Sequence, residues 1–402
     1  MFFKDFSEKN AVLLESALVS QESYQSLQAE KPLRVISSTT HSLNDLWKAL
    51  DETWNTPSSS HKDSSLFSGG WIGFLGYEAY SLFPHFKINS HTPDLTPLWW
   101  FGYYDNYDVI QQEQTNPDAN KQPSSSILHD NARLTQDSSA QNYQNAVKKI
   151  QDYLQEGTCY QVNLAQRFSV PYQGDAYSLY RKLCQKSPMP YAAFLNLGDI
   201  QILSASPECF FKIENNKIIT KPIKGTRARS ANSAEDQQLK NDLQTHLKDK
   251  AELLMITDLE RNDLGKICKP GSIQTSTISK VETYTHLHHQ LSEIEGELQD
   301  GLPISKVLLS LFPGGSITGA PKQKAMEIIH TLELVPRNVY CGAIGYVSHG
   351  QKAQFNIAIR TMILKNQKAY FYSGAGIVMD SDPKREFEET LLKARGMLDA
   401  LT

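Results

Sequence analysis

From residue 140 onward, amphipathic helical stretches and short apolar strands follow one another without the regular strand–helix beat of a doubly wound sheet. That irregular order is the strongest restriction on the fold, and it favours a sheet-rich α+β architecture. Upstream, "GGWIGFLGYEAY" (69–80) and "PLWWFGYYDNYDVI" (97–110) are aromatic and glycine-rich, as packed strands with tight bends are. Two polar stretches, 54–68 and 112–142, are rich in Ser, Asn, Gln and Pro and read as surface connections or insertions. No solenoid-length repeat is present.

Helical periodicity is clear in four places. Residues 141–156 place Val147, Ile150 and Leu154 on one stripe. A single long helix is expected over 235–264, with Leu239, Leu243 and Leu247 recurring through Leu254 and Gly265 as the stop. A third helix is expected over 320–333. The last runs from 383 to about 401, with Asp382 as N-cap and Pro383 in its first turn.

Composition excludes several functions. The 402 residues carry 40 basic and 44 acidic side chains and no long basic run, which argues against nucleic acid as a partner. No apolar run approaches the roughly 20 residues that span a bilayer, and the opening "MFFKDFSEKNAVLLES" does not read as a signal peptide. Five scattered cysteines without Cys-x-x-Cys spacing suggest reduced thiols and a cytoplasmic protein, with no zinc site implied.

Several residues could carry chemistry. In "IITKPIKGTRARS" (218–230), Ile218, Ile219 and Ile223 read as a half-buried strand that Gly225-Thr226 ends. Lys224 is then either a solvated strand-end charge or an amine held in a pocket. On the last helix, Glu386, Glu389, Lys393 and Met397 share a face. A solvated Glu389–Lys393 pair is the ordinary reading, and stacked carboxylates relieved by a divalent cation the other. Glu252 precedes "LLMI", so its helix is expected to be buried nearly all round; a bridge to Lys248 or a metal would satisfy the carboxylate. Oxygen-only ligands of this kind suit Mg²⁺ better than zinc.

The glycine-rich segments are less specific. "PGGSITGAPK" (313–322) fails as a phosphate loop, because Ala-Pro separates its lysine from Gly319 and no Ser or Thr follows. "YSGAGIVMD" (372–380) reads as a strand and turn that would let a ligand approach the backbone. Arg360 interrupts an apolar strand in "FNIAIRTMIL", where an arginine commonly grips a carboxylate. Glu208, after Pro207 in "LSASPECFFKI", is a proton-donor candidate if its pKa is raised, and an ordinary strand-start glutamate otherwise.

Taken in order, "GTCYQVNLAQRF", "SASPE", "PIKGTRAR", "KAELLMITDLERNDLG", "LFPGGSITGAPKQKAMEIIHTLE", "CGAIGYVSHG", "FNIAIRT" and "SGAGIVMDSDPKREFEET" resemble the chorismate-utilising enzymes. This family includes anthranilate, aminodeoxychorismate, isochorismate and salicylate synthases. Before residue 140 the resemblance rests on "LLES" (13–16) and "GGWIGFLGYE" (69–78). It implies a large two-lobed β-sandwich flanked by helices. An N-terminal part, 1–140, would carry the polar insertions, and 141–402 would form the chorismate-binding catalytic region.

The resemblance also implies roles. Glu252 and Glu389 match the Mg²⁺ ligands, with Glu386 as a further or outer ligand. Gly225, Thr226, Tyr346, Arg360, Gly374, Ala375, Gly376 and Lys393 match positions that hold chorismate's carboxylates; His289 matches a histidine beside the reacting ring. Glu208 matches the acid that protonates the departing hydroxyl. Gln161 stands where water-adding relatives carry a lysine base, which disfavours those activities. "PIKGT" is similar to aminodeoxychorismate synthases, whereas anthranilate synthases resemble "PIAGT". Lys224 would then be a nucleophile, the product 4-amino-4-deoxychorismate for p-aminobenzoate and folate, and the ammonia source a separate glutamine amidotransferase subunit forming a heterodimer. Ala228 departs from the proline common after "GTR" in relatives. Ser16 with Pro190, Tyr191 and Ala192 match a tryptophan site of some relatives, and a structural role serves those residues equally well. Rival expectations are an anthranilate synthase and a non-catalytic tryptophan- or chorismate-binding subunit.

Overall fold

A computed structural model describes residues 6–16, 25–58, 67–111, 134–284 and 287–401. The central parts of both polar stretches, 59–66 and 112–133, lie outside the described residues. Two 10-stranded antiparallel sheets, with helices outside them, form the α+β sandwich expected. The first sheet runs in the order Gly319–Ala320, Gln161–Pro171, Lys368–Ile377, Thr361–Lys365, Gln201–Ser206, Tyr191–Asn196, Val12–Glu15, Gln25–Ala29 and Tyr107–Gln111, with Thr135–Gln136 beside Gln161–Pro171. The second runs Ile223–Ala228, Leu287–Glu297, Lys217–Lys221, Cys209–Glu214, Lys352–Ile357, Ala343–Ser348, Gly70–Leu75, Trp99–Tyr104 and Arg34–Ser37, with Gln274–Thr283 beside Leu287–Glu297. No described helix is long and apolar enough to cross a membrane. All five cysteines are buried and free.

One ribbon ties the sheets together. Gln201–Ser206 pairs with Thr361–Lys365 in the first sheet, and their continuations Cys209–Glu214 and Lys352–Ile357 pair in the second. Both chains therefore cross the seam side by side, and the crossing residues include Glu208 and Arg360. Register shifts at Cys209 mark the corner, as bulges do where strands change sheets. Arg360 is accordingly not part of a continuous strand; it sits at the corner with φ +51.

Several sequence expectations shift. The helix expected over 235–264 is two, Ser233–Thr245 and Leu247–Leu264, because His246 is extended (ψ 114) and caps the second, accepting from the Asp249 N–H. Nor is the second helix buried all round. Leu253 and Ile256 face inward, but Leu247 is 82% and Leu254 50% exposed. The apolar "LLMI" run is thus two inward residues, one exposed and one half-buried, and the Leu239–Leu254 repeat does not form one stripe. The helix expected over 320–333 is Lys322–Leu332, since Gly319–Ala320 is spent pairing with Gln161 and Val162. The first and last expected helices form as Ala140–Gln155 and Pro383–Leu401, the latter capped by Asp382 through the Arg385 N–H at 2.8 Å.

Gly225 does not end its strand either. Pairing continues to Ala228 across a bulge between Lys224 and Thr226, and Gly225 supplies the φ of +77 that a side chain resists. The bulge turns Lys224 and Thr226 out of simple alternation. Gly374 to Gly376 form no turn: they lie within Lys368–Ile377, paired with Ala165, Leu164 and Asn163.

A buried ion pair locks the centre. Arg337, 1% exposed, donates twice to Glu333 (2.8 and 2.6 Å), to the carbonyls of Ile317 (3.0 Å) and Asn163 (2.7 Å), and stacks on Tyr77. Removing one partner leaves the other charge buried and uncompensated. Arg337→Ala is expected to cost about 3–5 kcal/mol, read as a lower denaturant midpoint; an unchanged midpoint would contradict the assignment.

Candidate active site

The bulged strand Ile223–Ala228 places Lys224 against the loop 312–318. Its Nζ donates to the Ser316 carbonyl at 3.0 Å. Lys224 is only half-buried as a residue, yet burial about the amine lowers its pKa below the ordinary lysine range; the charges of Glu252 and Glu208 pull the other way. Glu208 faces it from the seam. Burial pushes that carboxyl up to about 7, opposed by the Ser316 hydroxyl, Lys224 and the Ile223 N–H, which donates to Oε1 at 3.4 Å. A readily neutralised amine thus lies beside a carboxyl able to hold a proton near neutral pH.

On the neighbouring strand, His289 lies opposite Thr226, with Nδ1 and Oγ1 2.8 Å apart. Burial and the positive charge of Arg360 push the imidazole down to about 3, so the ring is neutral. Its Nε2 is buried and has no partner among the described residues. Arg360 reaches Ser187 Oγ and Met189 Sδ, both at 3.4 Å, but forms no salt bridge among the described residues. Burial alone lowers it to about 10. An enclosed guanidinium without a carboxylate is poised to receive one from a ligand.

Carboxylates on two helices act on one another electrostatically. Glu252 comes from Leu247–Leu264, Glu386 and Glu389 from Pro383–Leu401. Glu252 is raised by burial, with the Glu389 charge adding to the rise; Glu386 is likewise raised by burial and by Glu389. Lys248 is 4.0 Å from Glu252, a loose bridge, whereas Lys393 is 2.6 Å from Glu389 with both about half exposed. The solvated Glu389–Lys393 pair therefore exists, and Lys393 also donates to the Gly374 carbonyl at 3.1 Å. Among the described residues no group of three or more His, Cys, Asp or Glu side chains is placed to hold a metal ion. Mutually repelling carboxylates with no further protein ligand fit a hard cation that keeps oxygen ligands from water and substrate.

Gln161, 1% exposed, points its Nε2 toward Glu252 Oε2 at 3.5 Å, the limit of hydrogen-bond reach. A Cβ on Gly376 would stand 2.5 Å from that nitrogen, so the glycine makes room for the amide. Tyr346 lies elsewhere: it is 3% exposed within Ala343–Ser348 and packs edge-on against Phe67. No contact recorded among the described residues joins it to Lys224, His289 or Arg360. Ser16 and Pro190–Ala192 are brought together because Glu15 pairs with Ala192.

Two residues escaped the sequence reading. Ser316 touches both Lys224 and Glu208, but it belongs to a glycine-rich stretch whose only recognisable pattern, a phosphate loop, failed. Glu260 is buried and pushed up to about 8 by burial, its Oε1 accepting from the Gly315 N–H at 3.3 Å. Its signal was legible: Leu253, Ile256, Thr257, Glu260 and Leu264 form the inward stripe of their helix, and a carboxylate in a stripe is unusual.

The family profile "chorismate binding enzyme" matches residues 9–399. The chain belongs to the chorismate binding enzymes. This match extends well before residue 140, where the motif resemblance was thin. The chain is 33% identical to the aminodeoxychorismate synthase component 1 of Bacillus subtilis (strain 168), over 98% of this chain and 92% of the relative. It is also 33% identical to the anthranilate synthase component 1 of Lactococcus lactis subsp. lactis (strain IL1403), over 97% and 94%. The crystal structure of anthranilate synthase component I from Streptococcus pneumoniae TIGR4 superposes with a TM-score of 0.79, at 31% identity, over 94% of this chain and 93% of that one. For a family that binds a dicarboxylate, the unpaired Arg360 makes a direct prediction. Arg360→Gln should raise the KM for chorismate roughly tenfold to a hundredfold, the value of about 1.5–3 kcal/mol for a charged hydrogen bond. An unchanged KM would place the substrate elsewhere.

Proposed function

We propose that this chorismate binding enzyme aminates chorismate at the ring carbon para to the carboxylate, giving 4-amino-4-deoxychorismate for p-aminobenzoate and folate. The reading is carried by one observation: Lys224, with a lowered pKa, shares Ser316 with Glu208, a carboxyl raised to about 7. The neutral Lys224 amine attacks the carbon ortho to the carboxylate. The ring double bonds shift, the para C–O bond breaks, and the Glu208 proton leaves with the hydroxyl as water. Ammonia then attacks the para carbon, the double bonds shift back, and the ortho C–N bond breaks to release Lys224. The sum is chorismate plus ammonia giving 4-amino-4-deoxychorismate plus water.

Arg360 and Lys393 would grip the carboxylates, and the free Nε2 of neutral His289 would meet a ring substituent. Gly225, Thr226 and the Gly374–Gly376 backbone would line the carboxylate sites. Glu252 and Glu389, with Glu386 nearby, would hold Mg²⁺, which when bound fixes the ring carboxylate and disperses its charge. Gln161 cannot deprotonate water, in keeping with amination. "Component 1" in the relatives' names supports a second component; for this chain we assign that role to a glutamine amidotransferase delivering ammonia. Ser16 with Pro190–Ala192 would form a tryptophan site.

Relatives named anthranilate synthase match at the same identity, so Lys224 must discriminate. With chorismate, Mg²⁺ and ammonium salt, the wild type should yield the para-amino product, and Lys224→Ala should abolish it. Anthranilate from the wild type, or an unimpaired variant, would favour the rival. The pH profile follows from the shifts. Lys224 must be neutral, so activity rises as pH passes its lowered pKa; Glu208 must be protonated, so activity falls as pH rises through about 7. Because Glu252 and Glu389 raise the Lys224 pKa, raising Mg²⁺ should move the ascending limb to lower pH. A limb indifferent to Mg²⁺ would contradict that coupling.

A further inference from the structure

The turn Gly315–Ile317 touches both Lys224 and Glu208: the Ser316 carbonyl accepts from Lys224 Nζ at 3.0 Å, while its hydroxyl lies against the Glu208 carboxyl. The far end of this turn is clamped by the fold itself. Arg337 and Asn163 each donate to the Ile317 carbonyl at 3.0 Å, and the Asn163 N–H donates to the Thr318 carbonyl at 2.9 Å. At its near end the Gly315 N–H has a different kind of partner, Glu260 Oε1 at 3.3 Å.

Glu260 has no salt bridge among the described residues. Lys322, a cation that acts on it electrostatically, is taken by Asp263 at 2.5 Å and by the Leu311 carbonyl at 2.9 Å, and Asp263 is also held by Lys266 at 2.7 Å. The facing groups are therefore Lys322, Asp263 and Glu208, and the net surroundings do not demand a charge on Glu260. A buried carboxyl in that setting serves as a neutral hydrogen-bonding group. A hydrocarbon of similar volume would pack on the same helix stripe, so core filling alone does not require an acid here.

We propose that Glu260 is a positioning residue for the amination: through the Gly315 N–H it fixes the turn that keeps the Lys224 amine and the Glu208 carboxyl in one frame. This rests on the roles given above to Lys224 and Glu208. Glu260 itself touches no reacting atom. Its contribution should therefore appear in the chemical step, with little effect on chorismate binding, which Arg360 and Lys393 supply.

The test compares Glu260→Leu, Glu260→Gln and Ser316→Ala with the wild type in chorismate, Mg²⁺ and ammonium salt, after confirming a native circular dichroism spectrum. Glu260→Leu leaves the Gly315 N–H without its partner and should lower kcat about tenfold to a hundredfold, the scale expected from misplacing catalytic groups by under an ångström, with KM within about threefold. Glu260→Gln keeps an acceptor in place and should recover most of that rate. Ser316→Ala removes a hydroxyl that favours the charged Glu208, so the alkaline fall in activity should move to higher pH. The proposal is overturned if Glu260→Leu keeps wild-type kcat, if Glu260→Gln loses as much as Glu260→Leu, or if kcat and KM worsen together. Should Glu260→Leu fail to fold, Glu260→Gln and Ser316→Ala decide: an impaired Gln variant or an unmoved alkaline limb counts against it. Lack of wild-type para-amination is a separate outcome, counting against the function rather than the turn.

Discussion

A paired ribbon of strands that leaves one sheet and enters the other is the constraint on which the site depends. Two antiparallel strands cross the seam together, and at the bend they stay tied: the Ala205 N–H donates to the Arg360 carbonyl and the Ile357 N–H to the Glu208 carbonyl, both at 3.0 Å. The corner thus carries Glu208 and Arg360 on elements whose flanks are largely buried. The bulge at Gly225 does the same for the opposite wall, turning Lys224 toward the loop that carries Ser316.

Enclosure gives these residues their chemical character. Desolvation disfavours the charged forms of six of these groups, lowering Lys224, Arg360 and His289 while raising Glu208, Glu252 and Glu260. An amine with a lowered pKa and a carboxyl raised to about 7 are suited to proton transfer at a shared site. The cost of burying so many ionisable groups is offset elsewhere by well-packed aromatic core and by pairs such as Arg337–Glu333, whose donors also pin the site loop. Stability and positioning therefore meet in the same few hydrogen bonds.

Much of this was legible in the chain. The irregular order of helices and strands gave the fold class, and the ends of the last helix follow from Asp382 and Pro383. Ordered motifs pointed to the family, and a lysine between an apolar residue and a glycine raised the right question. The failures have physical causes. His246 breaks a helix whose leucine repeat suggests continuity, because extended backbone lets its ring cap the next helix. Arg360 looked like a strand residue, since nothing local distinguishes a strand from one bending between sheets. Gly225 was read as a stop, although a glycine with positive φ also makes a bulge. Ser316 has no local signature, because its importance comes from two partners 92 and about a hundred residues away.

The central claim concerns which nitrogen meets the ring first. Intact-protein and peptide mass spectrometry on enzyme acid-quenched after mixing with chorismate and Mg²⁺, with ammonium withheld, addresses it directly. The account requires an added mass of chorismate less one water, mapped to the peptide bearing Lys224, which disappears once ammonium is supplied. A chain that turns over chorismate yet never carries that mass, or carries it on another residue, would contradict the account.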